Sequence, residues 1–458
     1  MKKIDETIFK AYDIRGIYPG QIDEDVAYKI GAGYAAFILK KNPNAKNIVV
    51  GEDMRLSSPT LKKELARGLS ESGLNVIDVG LVSTPTFYFA VGYYSYDGGI
   101  QVSASHNPKE YNGFKLVRNK GLPISKNSGI NEIRNIILSG DFPPANKKGE
   151  IIVKKNVLRD LVKEQLSKID ISGVKRFKIA VDTANAMGAL DMEELFGSLP
   201  ADLIKINFKL DGSFPSHLPD PLAEKNLRLL KETVLENKAD LGIAPDGDAD
   251  RYFFIDEKGN TLRQEILRGI MAQIELKEYP GATVCYDIRP GRITQDMIDE
   301  AGGRAIVTPV GHSLIKEVMI ANDAIFGGES SGHYFYKKLY GTFEMPIILI
   351  AKFLKFLSEK NVPFSEAVKP YLKYHHSGEI NFKVRSVAEK LRGAEKKYND
   401  VKINKLDGIT IEYPDWWFNL RGSNTEPLIR LNLEARSKEL MEEKVKEVSK
   451  LIGDITTH

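Results

Sequence analysis

Lys178-Ile179-Ala180-Val181-Asp182-Thr183-Ala184-Asn185 reads as a short apolar strand that breaks into a turn of small and polar residues. The same grammar occurs twice more. Residues 47–50 run into Gly51-Glu52-Asp53, and residues 283–286 run into Asp287-Ile288-Arg289. An amphipathic helix and further strands follow each time. The later strands end in the most polar loops of the chain: residues 99–102 before 103–108, 240–244 before 246–251, and 323–326 before 327–333. Strands alternating with helices predict α/β layers, and the threefold repetition predicts three related α/β domains rather than one long sheet.

Breaker clusters set the boundaries. Asp141-Phe142-Pro143-Pro144-Ala145-Asn146 before Lys147-Lys148-Gly149 reads as a linker. Further breaks near 257–260 and 363–371 divide the chain into 1–148, 149–256, 257–367 and 368–458, the last a smaller α+β unit. A chain of 458 residues is too long for one core, which agrees with four domains.

Composition excludes several classes. Lys+Arg 65 against Asp+Glu 62 leaves +3, without the clustered basic charge that nucleic acid or an anionic membrane requires. The apolar helical stretch at 346–357 is cut by Lys352 and Lys355 and is too short to span a bilayer. The N-terminus lacks an apolar run of signal-peptide length. A single cysteine, Cys285, sits in an apolar strand and forms no intramolecular disulfide. The expectation is a soluble, cytoplasmic protein.

Four loops carry the chemistry. In Asp246-Gly247-Asp248-Ala249-Asp250-Arg251, carboxylates at alternate positions can converge on one hard cation, with coordination positions left for a substrate. An EF-hand is the competing reading, and Glu257 does fall at its twelfth position. Arg251 stands where that loop needs Gly, however, and Tyr252-Phe253-Phe254-Ile255 predicts a strand, not a helix. Ser103-Ala104-Ser105-His106-Asn107-Pro108 places a serine at a strand's carboxyl end, where α/β domains hold reactive groups; a Ser/Asn turn or cap is the alternative. Gly327-Gly328-Glu329-Ser330-Ser331-Gly332-His333 offers a carboxylate to neighbouring hydroxyls of a polyol, or is a Gly-rich turn. Arg421-Gly422-Ser423-Asn424-Thr425-Glu426-Pro427 combines Arg, hydroxyls and backbone N–H groups as an anion nest, or is a turn between strands. Gly31-Ala32-Gly33 imitates a dinucleotide fingerprint, but with no strand before it the spacing predicts close helix packing.

Taken together, the loops resemble the α-D-phosphohexomutase superfamily, in its phosphomannomutase/phosphoglucomutase branch, over essentially the whole chain. The resemblance implies a four-domain heart shape. It makes Ser105 the phosphoryl carrier, with Asp246, Asp248, Asp250 and Ser105 holding Mg²⁺. Glu329, Ser331 and His333 become sugar-binding residues, and Arg421, Ser423, Asn424 and Thr425 phosphate-binding ones. Ala11-Tyr12-Asp13-Ile14-Arg15-Gly16 and Asn112-Gly113-Phe114-Lys115 match segments that bring Tyr12, Arg15 and Lys115 to the reacting phosphate. Arg251 helps offset charge, Arg289 stands where the family has Lys, and Lys115, His333 and His312 are the acid/base candidates. The implied reaction interconverts mannose 6-phosphate and mannose 1-phosphate through a bound hexose 1,6-bisphosphate, which also serves as activator. Glucose phosphates are a second substrate. Glucose- or glucosamine-phosphate mutase activity is the nearest alternative; a metal-dependent sugar phosphatase and a non-catalytic sugar-phosphate sensor are alternatives of another class. The expected partners are hexose phosphates alone, and the expected state is a monomer, with a dimer as alternative.

Overall fold

The computed structural model describes residues 4–142, 145–289, 291–422 and 428–453. The chain divides into two compact units, 1–262 with 331–367, and 263–330 with 368–458.

The first unit contains two sheets. In one, Gly98–Val102, Asn47–Glu52, Asn75–Leu81 and Ile151–Val153 run parallel in that spatial order, and Tyr111–Arg118 and Ile14–Ile17 close the other edge antiparallel. Strands Asn47–Glu52 and Gly98–Val102 are buried almost throughout, as expected where both faces of a parallel sheet are covered. Helices Glu24–Lys41 and Ser58–Glu71 touch backbone to backbone. A Cβ on Gly31 would stand 2.3 Å from the Leu65 carbonyl oxygen, and one on Gly68 would stand 2.2 Å from that of Tyr28. The small residues at 31–33 therefore serve helix packing, as their spacing predicts.

The second sheet orders Tyr252–Asp256, Leu241–Pro245, Phe177–Asp182 and Ala201–Ile206, with the first strand antiparallel to its neighbour. The strand after the acidic loop is thus real and excludes an EF-hand. Residues returning to this unit form the hairpin Tyr334–Lys338/Gly341–Glu344 and helix Pro346–Lys360. That helix covers the second sheet's edge strand, with Phe254 and Phe353 ring centroids 4.8 Å apart.

In the second unit, Arg304–Thr308, Thr283–Asp287 and Phe326–Gly328 are parallel. The strand expected at 323–326 starts three residues later. Asp323 adopts a left-handed backbone (φ 54°), and pairing with Thr283–Asp287 runs into Gly327 and Gly328. The remaining sheet is antiparallel, His375–Lys383, Leu428–Ala435, Trp416–Gly422, Ile409–Glu412 and Ile403–Asn404 in order. His375 and His376 open its first strand.

Candidate active site

Strand Gly98–Val102 delivers the serine loop. Ser105 has φ 51°, a left-handed conformation that costs a non-glycine residue energy, and the surrounding hydrogen bonds hold it there. Its N–H donates to Ser103 Oγ at 3.0 Å. Arg55, fully buried, donates to four carbonyls around the loop: Ser105 at 2.7 Å, Asn107 at 2.6 Å, Pro108 at 2.8 Å and Tyr111 at 3.0 Å. No local pattern marks Arg55 for this role, since its partners lie some fifty residues away along the chain.

Ser105 Oγ donates to Asp246 Oδ2 at 2.9 Å and lies 3.0 Å from His106 Nδ1. The acidic loop folds on itself, with Asp246 Oδ1 accepting the N–H groups of Asp250 and Arg251, and Asp246 Oδ2 accepting Arg251 Nε and Nη2 at 2.9 and 2.8 Å. Lys115, from strand Tyr111–Arg118, places Nζ 2.6 Å from Asp248 Oδ2 and 2.7 Å from Asp250 Oδ2. His333 follows its Gly-rich loop to a bridge with Arg251, its Nε2 3.2 Å from Asp250 Oδ1 and its Nδ1 2.9 Å from Ser331 Oγ. Arg15 donates to Asp13 and to Asn107 Oδ1, both at 2.5 Å, so it braces the serine loop, and Tyr12 lies half-buried just before it.

Three buried carboxylates side by side are electrostatically expensive. Burial, with the charges of Asp250 and Asp248, pushes Asp246 up to about 7, against the pull of Arg251. Burial also opposes ionisation of Asp250, yet Lys115, His333 and Arg251 hold its carboxyl well below the usual range. Lys115 is buried, but Asp248 and Asp250 outweigh the desolvation and keep it charged far above the ordinary lysine range. His106 is pushed well down by burial and by Arg251 and Arg15, so its ring is neutral.

One carboxyl oxygen from each of Asp246, Asp248 and Asp250 lies within 4.8 Å of the other two. Asp248 Oδ1 is buried and has no hydrogen-bond partner, an arrangement costly for a carboxylate unless a cation meets it. An all-oxygen donor set of this kind suits a hard divalent metal.

The second unit holds a separate polar cluster. Asp287 accepts Arg268 at 2.7 Å, the Ser330 N–H at 3.0 Å and Ser330 Oγ at 2.8 Å; its other oxygen accepts Arg289 Nε at 2.5 Å. Arg289 reaches Glu329 at 3.1 Å. Arg421 donates to Glu379 at 2.7 Å, and Arg430 approaches the same carboxylate at 3.3 Å. Burial opposes the Glu379 charge, but Arg421 and Arg430 keep it below the ordinary range. The expected anion nest therefore contains an arginine already paired with a carboxylate, a partner the loop motif did not reveal. His312 opens helix His312–Ala321 in this unit. Ser423, Asn424 and Thr425 lie outside the described residues.

Comparison with known proteins matches this organisation along the chain. Residues 6–144, 159–259 and 265–374 match phosphoglucomutase/phosphomannomutase alpha/beta/alpha domains I, II and III, and residues 379–451 match that family's C-terminal domain. A phosphomannomutase of Methanocaldococcus jannaschii is 40% identical over 453 residues, covering 98% of each chain. One of Vibrio cholerae is 38% identical over 457 residues, covering 97% of this chain and 98% of the relative. A crystal structure of a phosphoglucomutase/phosphomannomutase family protein from Burkholderia thailandensis superposes with TM-score 0.88 at 31% identity, over 98% of both chains. With four family domains in sequence order and such relatives matching from end to end, the chain belongs to the phosphoglucomutase/phosphomannomutase family of the phosphohexomutase superfamily.

Proposed function

We propose that the chain is a cytoplasmic, Mg²⁺-dependent phosphomannomutase that interconverts mannose 6-phosphate and mannose 1-phosphate by way of phosphorylated Ser105, and accepts glucose phosphates as second substrates. The observation that carries this reading is Ser105 Oγ at 2.9 Å from Asp246, inside a buried trio whose Asp248 Oδ1 lacks a hydrogen-bond partner. The relatives' activity and the matching loops support it.

In the forward half-reaction a sugar hydroxyl attacks the phosphoryl group on Ser105. The P–O bond to Oγ breaks, a P–O bond to the sugar forms, and a hexose 1,6-bisphosphate results. After reorientation, Ser105 Oγ attacks the other phosphoryl group and releases the isomeric monophosphate. Asp246, Asp248 and Asp250 would hold the metal, which supplies Lewis-acid neutralisation of the transferring group's charge. Phosphoryl transfer depends chiefly on alignment and charge neutralisation. Arg15, Arg251 and Lys115 contribute the remaining positive charge. Lys115 acts as a fixed cation, because Asp248 and Asp250 keep it protonated. His333, tethered to Asp250 and Ser331, takes the hydroxyl proton. Arg289 and Glu329 bind sugar hydroxyls, and the 421–425 segment binds the non-reacting phosphate. The single thiol, Cys285, is buried, which accords with a reducing compartment.

The test is ³¹P NMR of the protein with mannose 1-phosphate, Mg²⁺ and a trace of glucose 1,6-bisphosphate. Mannose 6-phosphate should grow without free phosphate. Release of free phosphate alone would replace the mutase reading with a phosphatase, and an unchanged spectrum would refute both for this substrate.

A further inference from the structure

Asp248 is held by more than its own loop. Helix Thr84–Tyr93 begins beside it, with Ser83 as N-cap and Pro85 in the first turn. Thr84 has no solvent exposure. Its N–H donates to the Asp248 backbone carbonyl at 3.0 Å, and its Oγ1 donates to Asp248 Oδ2 at 2.5 Å, across 164 residues of sequence. The same oxygen accepts Lys115 Nζ at 2.6 Å.

Asp248 Oδ2 thus has two donors, whereas Oδ1, equally buried, has no hydrogen-bond partner. A free carboxylate can rotate about its Cβ–Cγ bond and offer either oxygen. With two donors fixed to Oδ2, rotation breaks both bonds, so only Oδ1 remains available for a cation. The backbone bond from Thr84 fixes the height of the loop, and the hydroxyl bond fixes the plane of the carboxylate. Groups that orient a metal ligand from behind in this way control affinity although they never touch the metal.

We propose that Thr84 is a positioning residue for the metal site: together with Lys115 it occupies Asp248 Oδ2 and commits Oδ1 to the divalent cation. The inference rests on the reading of the acidic trio as a metal site. Lys115 contributes charge that a metal must overcome; Thr84 contributes orientation without charge, so its removal isolates the geometric effect.

Mn²⁺ binding followed by EPR of the free ion provides the test, independent of turnover. Thr84→Val keeps the shape and removes only the hydroxyl, and Mn²⁺ affinity should fall by about 10–100-fold. Thr84→Ser restores the donor and should bind within about 3-fold of the unaltered protein. Ser83→Ala removes the helix cap, whose Oγ accepts the Thr86 N–H at 3.3 Å. It should lower the melting temperature and leave Mn²⁺ affinity unchanged, separating helix stability from ligand orientation. If Thr84→Val fails to fold, Thr84→Ala carries the same expectation. Unchanged affinity in the hydroxyl-free variant, or failure of serine to restore it, overturns the role of Thr84 while the metal site stands. Failure of the unaltered protein to bind Mn²⁺ overturns the metal-site reading and this inference with it.

Discussion

Gly247→Ala probes how the serine loop and the acidic loop are fitted together. A Cβ at this position would stand 2.3 Å from the Ser105 carbonyl oxygen, 2.9 Å from its carbonyl carbon and 3.1 Å from Pro219 Cγ. The closest of these must open by at least 0.7 Å to reach the 3.0 Å below which real Cβ contacts essentially never fall. Neither side yields easily. The Ser105 carbonyl is held by Arg55 at 2.7 Å, and the acidic loop is braced by the hydrogen bonds onto Asp246. The displacement therefore falls on the 2.9 Å approach of Ser105 Oγ to Asp246. A misplacement of about 1 Å costs on the order of 10²-fold in rate, or about 2.7 kcal/mol of activation free energy. Steady-state kcat for mannose 1-phosphate, measured beside the melting temperature, tests this. Gly393→Ala is the control: its Cβ would meet nothing within 4 Å, on a helix. It should leave the rate alone and stabilise by about 0.5–1 kcal/mol. A Gly247→Ala enzyme within about 3-fold of the parent kcat would refute the argument.

Ser105→Ala should lower turnover by more than about 10³-fold while sugar-phosphate binding, read by calorimetry, persists; a near-normal rate would remove Ser105 from the chemistry. Lys115→Met leaves Asp248 and Asp250 without their shared cation, and unfolding in chelator should become easier by about 3–5 kcal/mol. Excess Mg²⁺ should recover part of that loss by binding the folded state, and a cost under about 1 kcal/mol would contradict the buried clamp. Glu434 is pushed up to about 7 by burial, although Trp417 Nε1 donates to it at 2.9 Å. Between about 4.5 and about 7 the native state keeps a proton that the unfolded chain has released, so stability falls as pH rises through that window and is level above it. The full span corresponds to roughly 3 kcal/mol. Glu434→Gln should abolish the fall, matching the parent at pH ~5 and exceeding it at pH ~8 in urea titrations; identical pH slopes would count against it.

Much of this architecture was legible because its signals are local. Lys178–Val181 ending at Asp182, and the carboxylates at 246, 248 and 250, announce strand and loop within a few residues. What escaped is what closes over long separations. Arg55 grips a loop fifty residues away, Thr84 meets Asp248 across 164, and Arg421 is answered by Glu379 from another strand. No periodicity marks such pairs, since each residue type is also common at ordinary turns, caps and surfaces. The late start of Phe326–Gly328 has a related cause. Gly327 carries no apolar signal, yet a Cβ there would stand 2.5 Å from Met319 Sδ, so its smallness is a packing requirement that alternation cannot express.

The discontinuity of the first unit bears on how the chain is made. Phe254 emerges from the ribosome 99 residues before Phe353, the ring it packs against, and the residues between 262 and 331 belong to the other unit. At roughly 5–20 residues per second, the face of strand Tyr252–Asp256 awaits its covering helix for about 5–20 s. Over that interval the nascent chain carries an aromatic surface that nothing synthesised later has yet covered, a span in which a ribosome-associated chaperone has work to do. Synonymous codons across 263–330 then become determinants of yield: slow translation there prolongs the exposure, and fast translation shortens it.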